Sequence, residues 1–322
     1  MMRRREFIAG LGGAAVLPVA ACAQRPFVRM PRIGIIDDEP EFDIFRQGLR
    51  DLGYVENQNI AIEYRSAESK VDRLAQAARE LASLPVDVIV VYGSPAARAA
   101  RQATSTIPIV MISIGDPVRA GFADNLARPG GNMTGTSEFG PNLIGKRLNV
   151  LKECVPALAR VAFLWNPDND SNRVFLEELI TAVPALGLEL ISVPIRNADE
   201  FNGALAAMMQ RMPNAAVATG DPLLLRHTRQ IVDFAVKNRL PAMSQVREFV
   251  AAGGLISYGA NRPTLFRRSA FYVHRILQGT KPADLPIEQP THFELVINLK
   301  TAKALGLAVP PTVYALANEL IE

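Results

Sequence analysis

From Arg32 onward, short aliphatic runs alternate with longer stretches whose apolar positions recur every three or four residues. The runs 32–37, 60–64, 86–91 and 107–112 are rich in Ile and Val and predict strands. Between them, 42–52 places Phe42, Phe45, Leu49 and Leu52 on one face and stops at Gly53, which predicts a helix, as do 71–84 and 96–103. The alternation then restarts, with strands expected at 160–165, 188–193 and 215–219 and helices at 172–186, 201–209 and 223–238. Strands alternating with helices mean βαβ units and parallel sheets covered on both faces. Two such runs of similar size predict an α/β protein of two doubly wound parallel-sheet lobes. A chain of 322 residues suits that arrangement better than a single core.

The punctuation after the strands carries the first functional signal. Gly93-Ser94-Pro95 follows the third strand of the first run, and Gly220-Asp221-Pro222 follows the third of the second. Gly115-Asp116-Pro117 and Asn166-Pro167 follow two others. Ser, Asp or Asn before Pro reads as a helix start, the side-chain oxygen capping free amides and the proline suiting the first helical position. Ligands of open α/β sheets bind at the carboxyl ends of strands, where these turns lie. Free N–H groups at helix starts also favour an anion. The bland alternative is that they are ordinary strand-to-helix turns. Their matched placement in both runs favours a site.

Ahead of the body, Arg3-Arg4-Arg5-Glu6-Phe7-Ile8 precedes an uncharged stretch to Ala21, too short to span a bilayer. Residues 1–23 therefore read as a signal peptide of twin-arginine type, a plain arginine-rich secretory signal being the alternative. Val19-Ala20-Ala21-Cys22 has the form of a lipobox with Cys22 as lipidation site, while Ala21-Cys22-Ala23 is also a cleavage site that frees the protein. Those arginines against Glu6 account for two of the three net positive charges, so the body is nearly neutral. No basic run or aromatic-basic face remains, which argues against nucleic acid as a partner. Only Cys154 is left in the body, a lone thiol best read as buried and structural.

Recognisable reaction chemistry is sparse. His227, His274 and His292 are far apart, and neither a metal-binding H-E-x-x-H, a C-x-x-C pair nor a nucleophile elbow is found. Gly140-Pro141-Asn142-Leu143-Ile144-Gly145-Lys146 begins like a phosphate-binding loop, but Arg147 stands where a Ser or Thr would hold the metal. The expectation is a protein that is not an enzyme and takes no cofactor and no metal.

Two longer stretches are more specific. One is Gly115-Asp116-Pro117-Val118 through Leu126-Ala127-Arg128-Pro129-Gly130-Gly131-Asn132-Met133-Thr134-Gly135. The other comprises Gly253-Gly254-Leu255-Ile256-Ser257-Tyr258-Gly259 and the run from Phe293 to Leu307. They resemble the tryptophan/tyrosine-type family of ABC-transporter substrate-binding proteins, of periplasmic binding protein type I-like fold, from about Pro31 to Glu322. The resemblance implies two lobes joined by hinge crossovers near Thr136-Ser137, Ser257-Tyr258 and Pro286–Pro290. Lobe 1 would hold 31–136 plus 258–287, and lobe 2 would hold 137–257 plus 288–322. It implies a monomer in the periplasm, lipid-anchored or free, that closes on a small polar ligand and presents it to an ABC permease with its cytosolic ATPase. An amino acid, aromatic in the first instance, is the first ligand expected. A ligand sensor without transport is the alternative function, and a periplasmic α/β enzyme a weaker one.

The expected ligand-binding residues are Asp37, Gly93, Ser94, Asp116, Ser137, Asn166, Asp221 and Tyr258. Ser94 and the amides after it suit a carboxylate, and Asp116 and Asp221 suit an ammonium or act only as caps. Tyr258 offers a ring and a hydroxyl to grip a ligand. Trp165 should point away from Asn166, into the core.

Overall fold

Parallel pairing of the most apolar runs organises the chain. The computed structural model describes residues 29–36, 41–67, 70–138 and 143–322, so Asp37, Cys22 and the signal segment lie outside the described residues. The first run comprises β1 (Arg32–Ile36), α1 (Phe42–Asp51), β2 (Ala61–Arg65), α2 (Val71–Ser83), β3 (Val88–Tyr92), α3 (Gly93–Ala103), β4 (Ile109–Ile114) and β5 (Met133–Ser137). Its strands form a five-stranded sheet in the order β2-β1-β3-β4-β5, parallel throughout. Every residue of β3, Val-Ile-Val-Val-Tyr, is buried, because helices cover both faces. Leu81, Ala97 and Ala100 pack on one face with Ile89, Val91 and Met111, and Phe42, Phe45 and Phe266 on the other with Ile33, Ile35 and Val90.

The second run comprises α4 (Leu143–Cys154), β6 (Arg160–Trp165), α5 (Asp170–Ala185), β7 (Glu189–Pro194), α6 (Phe201–Gln210), β8 (Ala215–Ala218), α7 (Pro222–Arg226), α8 (Thr228–Lys237), β9 (Ala242–Ser244), α9 (Arg247–Ala251) and β10 (Ile256–Ala260). After α10 (Arg262–Leu277) come β11 (Phe293–Asn298), α11 (Leu299–Leu305), α12 (Pro311–Leu316) and β12 (Glu319–Ile321). The seven-stranded order is β12-β11-β10-β9-β8-β6-β7, and only the β10–β11 pair is antiparallel.

The chain moves between the sheets more than once. β10 belongs to the second sheet, yet the following α10 packs on α1 and on β4 and β5 of the first. Leaving α10, the chain runs beside β5, where the Ser137 amide donates to the Glu288 carbonyl at 2.8 Å, and then enters β11 of the second sheet. Each sheet is thus covered on both faces by helices, and the strand ends of both meet between them.

Three sequence expectations need adjustment. The stretch 223–238 is two helices, α7 and α8, divided at His227. α3 begins at Gly93, so Ser94 lies in its first turn and Tyr92 is the N-cap, without a side-chain cap bond. Asp116 caps a turn that does not continue as a helix: its Oδ1 accepts from the Val118 and Arg119 amides at 3.0 Å each. Asp221-Pro222 does start a helix in the expected way, Asp221 accepting from the Leu223 amide and Pro222 sitting in the first turn.

Candidate functional site

The turns at the carboxyl ends of β3 and β4 meet the amino terminus of α5 from the other sheet. Gly93 has φ +75°, a conformation that favours glycine, and a Cβ there would lie 3.3 Å from Pro222 Cγ across the junction. Ser94, fully buried, shares a 2.5 Å hydrogen bond with the Ser171 hydroxyl. The Gly115 amide donates to the same Ser171 oxygen at 3.0 Å. Ser137 reaches back to donate to the Gly115 carbonyl at 2.6 Å, which fixes the turn that presents that amide. Asp116 stands one residue further on, half-buried and occupied as a cap.

On the second sheet, Asn166 and Asp221 come together as a buried network. Asp221 Oδ2 accepts from Asn169 at 2.7 Å and from Asn166 and Asn172 at 3.3 Å each. Its Oδ1 accepts from Asn166 at 3.3 Å and from the Leu223 amide at 2.8 Å. Those donors fill the acceptor positions of a carboxylate. Burial nevertheless pushes the Asp221 carboxyl above its ordinary range, the donations of Asn169, Leu223 and Asn166 pulling the other way. In this geometry Asp221 ties the β8–α7 turn to the start of α5. Asn169 and Asn172 were missed from sequence, although asparagine at 166, 169 and 172 is a visible three-residue repeat leading into a helix. Trp165, next to Asn166, points the opposite way, into the apolar core, its Nε1 donating to Ser192 at 2.9 Å.

Tyr258 takes a different place. Its ring leans on Phe293, with centroids 6.3 Å apart, and packs against the second core. Its carbonyl accepts from Arg147 Nε at 2.7 Å. Arg147, the residue that breaks the phosphate-loop pattern, is buried, and desolvation pulls its guanidinium down to about 10, which leaves it charged at neutral pH.

Close by is a group that sequence reading did not single out. Glu138, just past β5, accepts from Ser113 Oγ at 2.8 Å and from Gln245 Nε2 at 3.0 Å, one from each sheet. Burial raises its carboxyl well above the ordinary range, against the Ser113 hydrogen bond, the charges of Arg147 and Arg262, and the Gln245 hydrogen bond. Ser113 has φ +56°, a strained value for a non-glycine residue, where the β4–β5 register shifts. Arg147 and Gln245 also line a cavity of about 10 Å³ with Thr219, Phe163, Phe175 and Val217. That is room for about one water. The buried Thr219 hydroxyl has no protein partner. These residues are far apart in sequence and carry no motif, so only the fold assembles them.

The arrangement gathers hydroxyls, backbone amides, a buried carboxylate and a buried guanidinium where two sheets meet. These groups bond across the junction to one another, which ties the two sheets together at their strand ends.

Comparison with known proteins gives the family and the fold. Residues 41–321 match the family described as ABC transporter substrate binding protein. The chain is 27% identical over 285 residues to a tyrosine-binding protein of Clostridioides difficile strain R20291, covering 87% of this chain and 82% of that one. In fold it is similar to the ABC domain in complex with L-Trp from Streptococcus pneumonia, at a TM-score of 0.85 and 24% identity, over 90% of this chain and 99% of that one. With a ligand-free, open substrate binding protein with adhesive properties from Clostridium difficile, the TM-score is 0.63 at the same identity and coverage. The backbone thus follows the L-Trp complex more closely than the open form. The two-sheet α/β architecture is that of type I periplasmic binding proteins.

Proposed function

The chain belongs to the family of ABC transporter substrate-binding proteins, and on that premise we propose that it captures an amino acid, aromatic in the first instance, and delivers it to a membrane permease driven by a cytosolic ATPase. Substrate-binding proteins of ABC transporters work outside the cytoplasm, and among the described residues no helix is long and apolar enough to cross a membrane. The observation that carries the ligand class is the similarity to a tyrosine-binding protein over most of both chains.

In this reading the lobes are 31–136 with 258–287 and 137–257 with 288–322. The sheet membership of β1–β5 and the packing of α10 on the first sheet support that division. The solute sits where the strand ends meet. Gly93, Ser94 and Asp116 shape the first wall and Asn166 and Asp221 the second, with Ser137 and Tyr258 at the crossovers between them. Asp37, next in sequence after Ile36, is kept as a candidate from the sequence alone. Glu138 and Arg147 add a half-buried carboxyl, whose neutral form burial favours, and a buried guanidinium that stays charged at neutral pH, which suits a ligand carboxylate. Closure of the lobes about the crossovers presents the loaded form to the permease.

Titration calorimetry of the mature protein against the standard amino acids tests the proposal. Saturable heat with Tyr, Trp or Phe is expected, and no heat with any of them removes the amino-acid reading. Mass spectrometry of the mature amino terminus decides between lipidation at Cys22 and a cut that releases the protein.

A further inference from the structure

The first three turns of α5 carry a row of polar residues that bond to the other sheet's side of the junction. Asp170, Ser171, Glu177 and Glu178 have the spacing i, i+1, i+7 and i+8, which places them on one stripe of a helix. Facing them on the first sheet are Ser94 and Arg98, one turn apart on α3, and the turn 115–119. Arg98 Nε donates to Asp170 Oδ2 at 2.8 Å. Ser171 binds both Ser94 and the Gly115 amide. Further out, Arg119 pairs with Glu177 at 2.5 Å and with Glu178 at 3.2 Å. The contact is close: a Cβ on Gly115 would lie 2.6 Å from the Ser171 side chain.

These contacts run directly from the protein groups of one wall to those of the other. We propose that this face of α5 is a built-in latch that holds the two walls together without ligand, so that the protein populates a closed form before it binds. The inference rests on the reading of the cleft as one that opens and closes. It extends that reading, because the latch sets how much of the ligand's binding energy is spent on closure. Ser171 is its centre, buried and bonded to two groups of the opposite wall. The arginine pairs at the rim are screened and individually weak, so they guide closure more than they hold it.

The balance follows from burial. Replacing Ser171 by Ala leaves the Ser94 hydroxyl and the Gly115 amide without a partner in the closed form, whereas water satisfies both in the open form. Loss of that pairing lowers the closed-to-open ratio by roughly tenfold. Arg98→Ala adds a smaller shift, and Asp170 keeps its ion pair with Arg173, so the start of α5 stays neutralised.

The test measures lobe separation in solute-free protein. Spin labels on cysteines introduced at the exposed Arg79, on α2, and Met212, after α6, report the distance by pulsed electron resonance. The unaltered protein should show a short-distance population without solute, and Ser171→Ala should move it to the longer distance, with saturating solute restoring it in both. The double variant Arg98→Ala, Arg119→Ala changes only well-exposed arginines and serves where Ser171→Ala folds poorly. A single long distance in the unaltered protein, or variants with unchanged distributions, overturns the proposal. Because the decisive reading is taken without solute, failure of the amino-acid assignment leaves this result intact.

Discussion

At the scale of single residues, burial decides what a polar group does. Asp221 looks from sequence like a ligand for an ammonium, but three asparagine amides and a backbone amide already surround it. Replacing it with Ala strands those donors in a buried site and should cost about 2–4 kcal/mol in urea unfolding. Glu138 has its folded-state pKa raised above the ordinary 4.5 by burial. The folded protein then holds more protons than the unfolded chain just above that value. Its contribution to stability is therefore greatest below the ordinary carboxylate pKa and declines as pH rises through the folded value. Glu138→Gln should remove that part of the decline from a plot of thermal midpoint against pH, whatever it does to the absolute midpoint. Cys154 is buried, and desolvation pushes its thiol up to about 11. A thiol reagent at neutral pH should therefore modify it only in denaturant, since the thiolate is the reactive form.

At the scale of elements, periodicity located β1–β4 and β6–β8 with the helices between them, while β5 and β9–β12, short or rich in small and polar residues, did not stand out, and the joints depended on close contacts. The helix expected over 223–238 breaks at His227, whose ring stacks on Phe201 at 4.2 Å. Apolar spacing continues through the break, so the pattern alone does not show it. α3 starts two residues before Pro95 because Gly93 takes a positive φ and turns the chain directly out of β3. Gly135 on β5 has φ +141°, and a Cβ there would lie 2.0 Å from the Met111 carbonyl oxygen. Gly135→Ala should destabilise the first sheet by about 3 kcal/mol or more, read from chemical unfolding, because both backbone conformation and strand spacing oppose the side chain.

For the molecule as a whole, alternation of apolar runs with amphipathic stretches pointed to two α/β sheets dominated by parallel pairing, though not to the antiparallel β10–β11 pair of the second. The central strands bury both faces and the helices cover them, so the local pattern carries much of the architecture. Short-range chemistry likewise marked the turns at strand ends, and a few long matching stretches pointed to the family. Tertiary structure alone decided which turns face each other. Ser94 and Ser171, Ser113 and Glu138, and Glu138 and Gln245 bond across 77, 25 and 107 positions of sequence. No periodicity encodes such pairs: Ser113 and Glu138 meet through the pairing of β4 with β5, and the other two through the way one sheet is set against the other by repeated crossings of the chain. The site could be placed from sequence at the ends of strands. Which of these groups are bonded to one another and buried follows only from distance and packing in three dimensions.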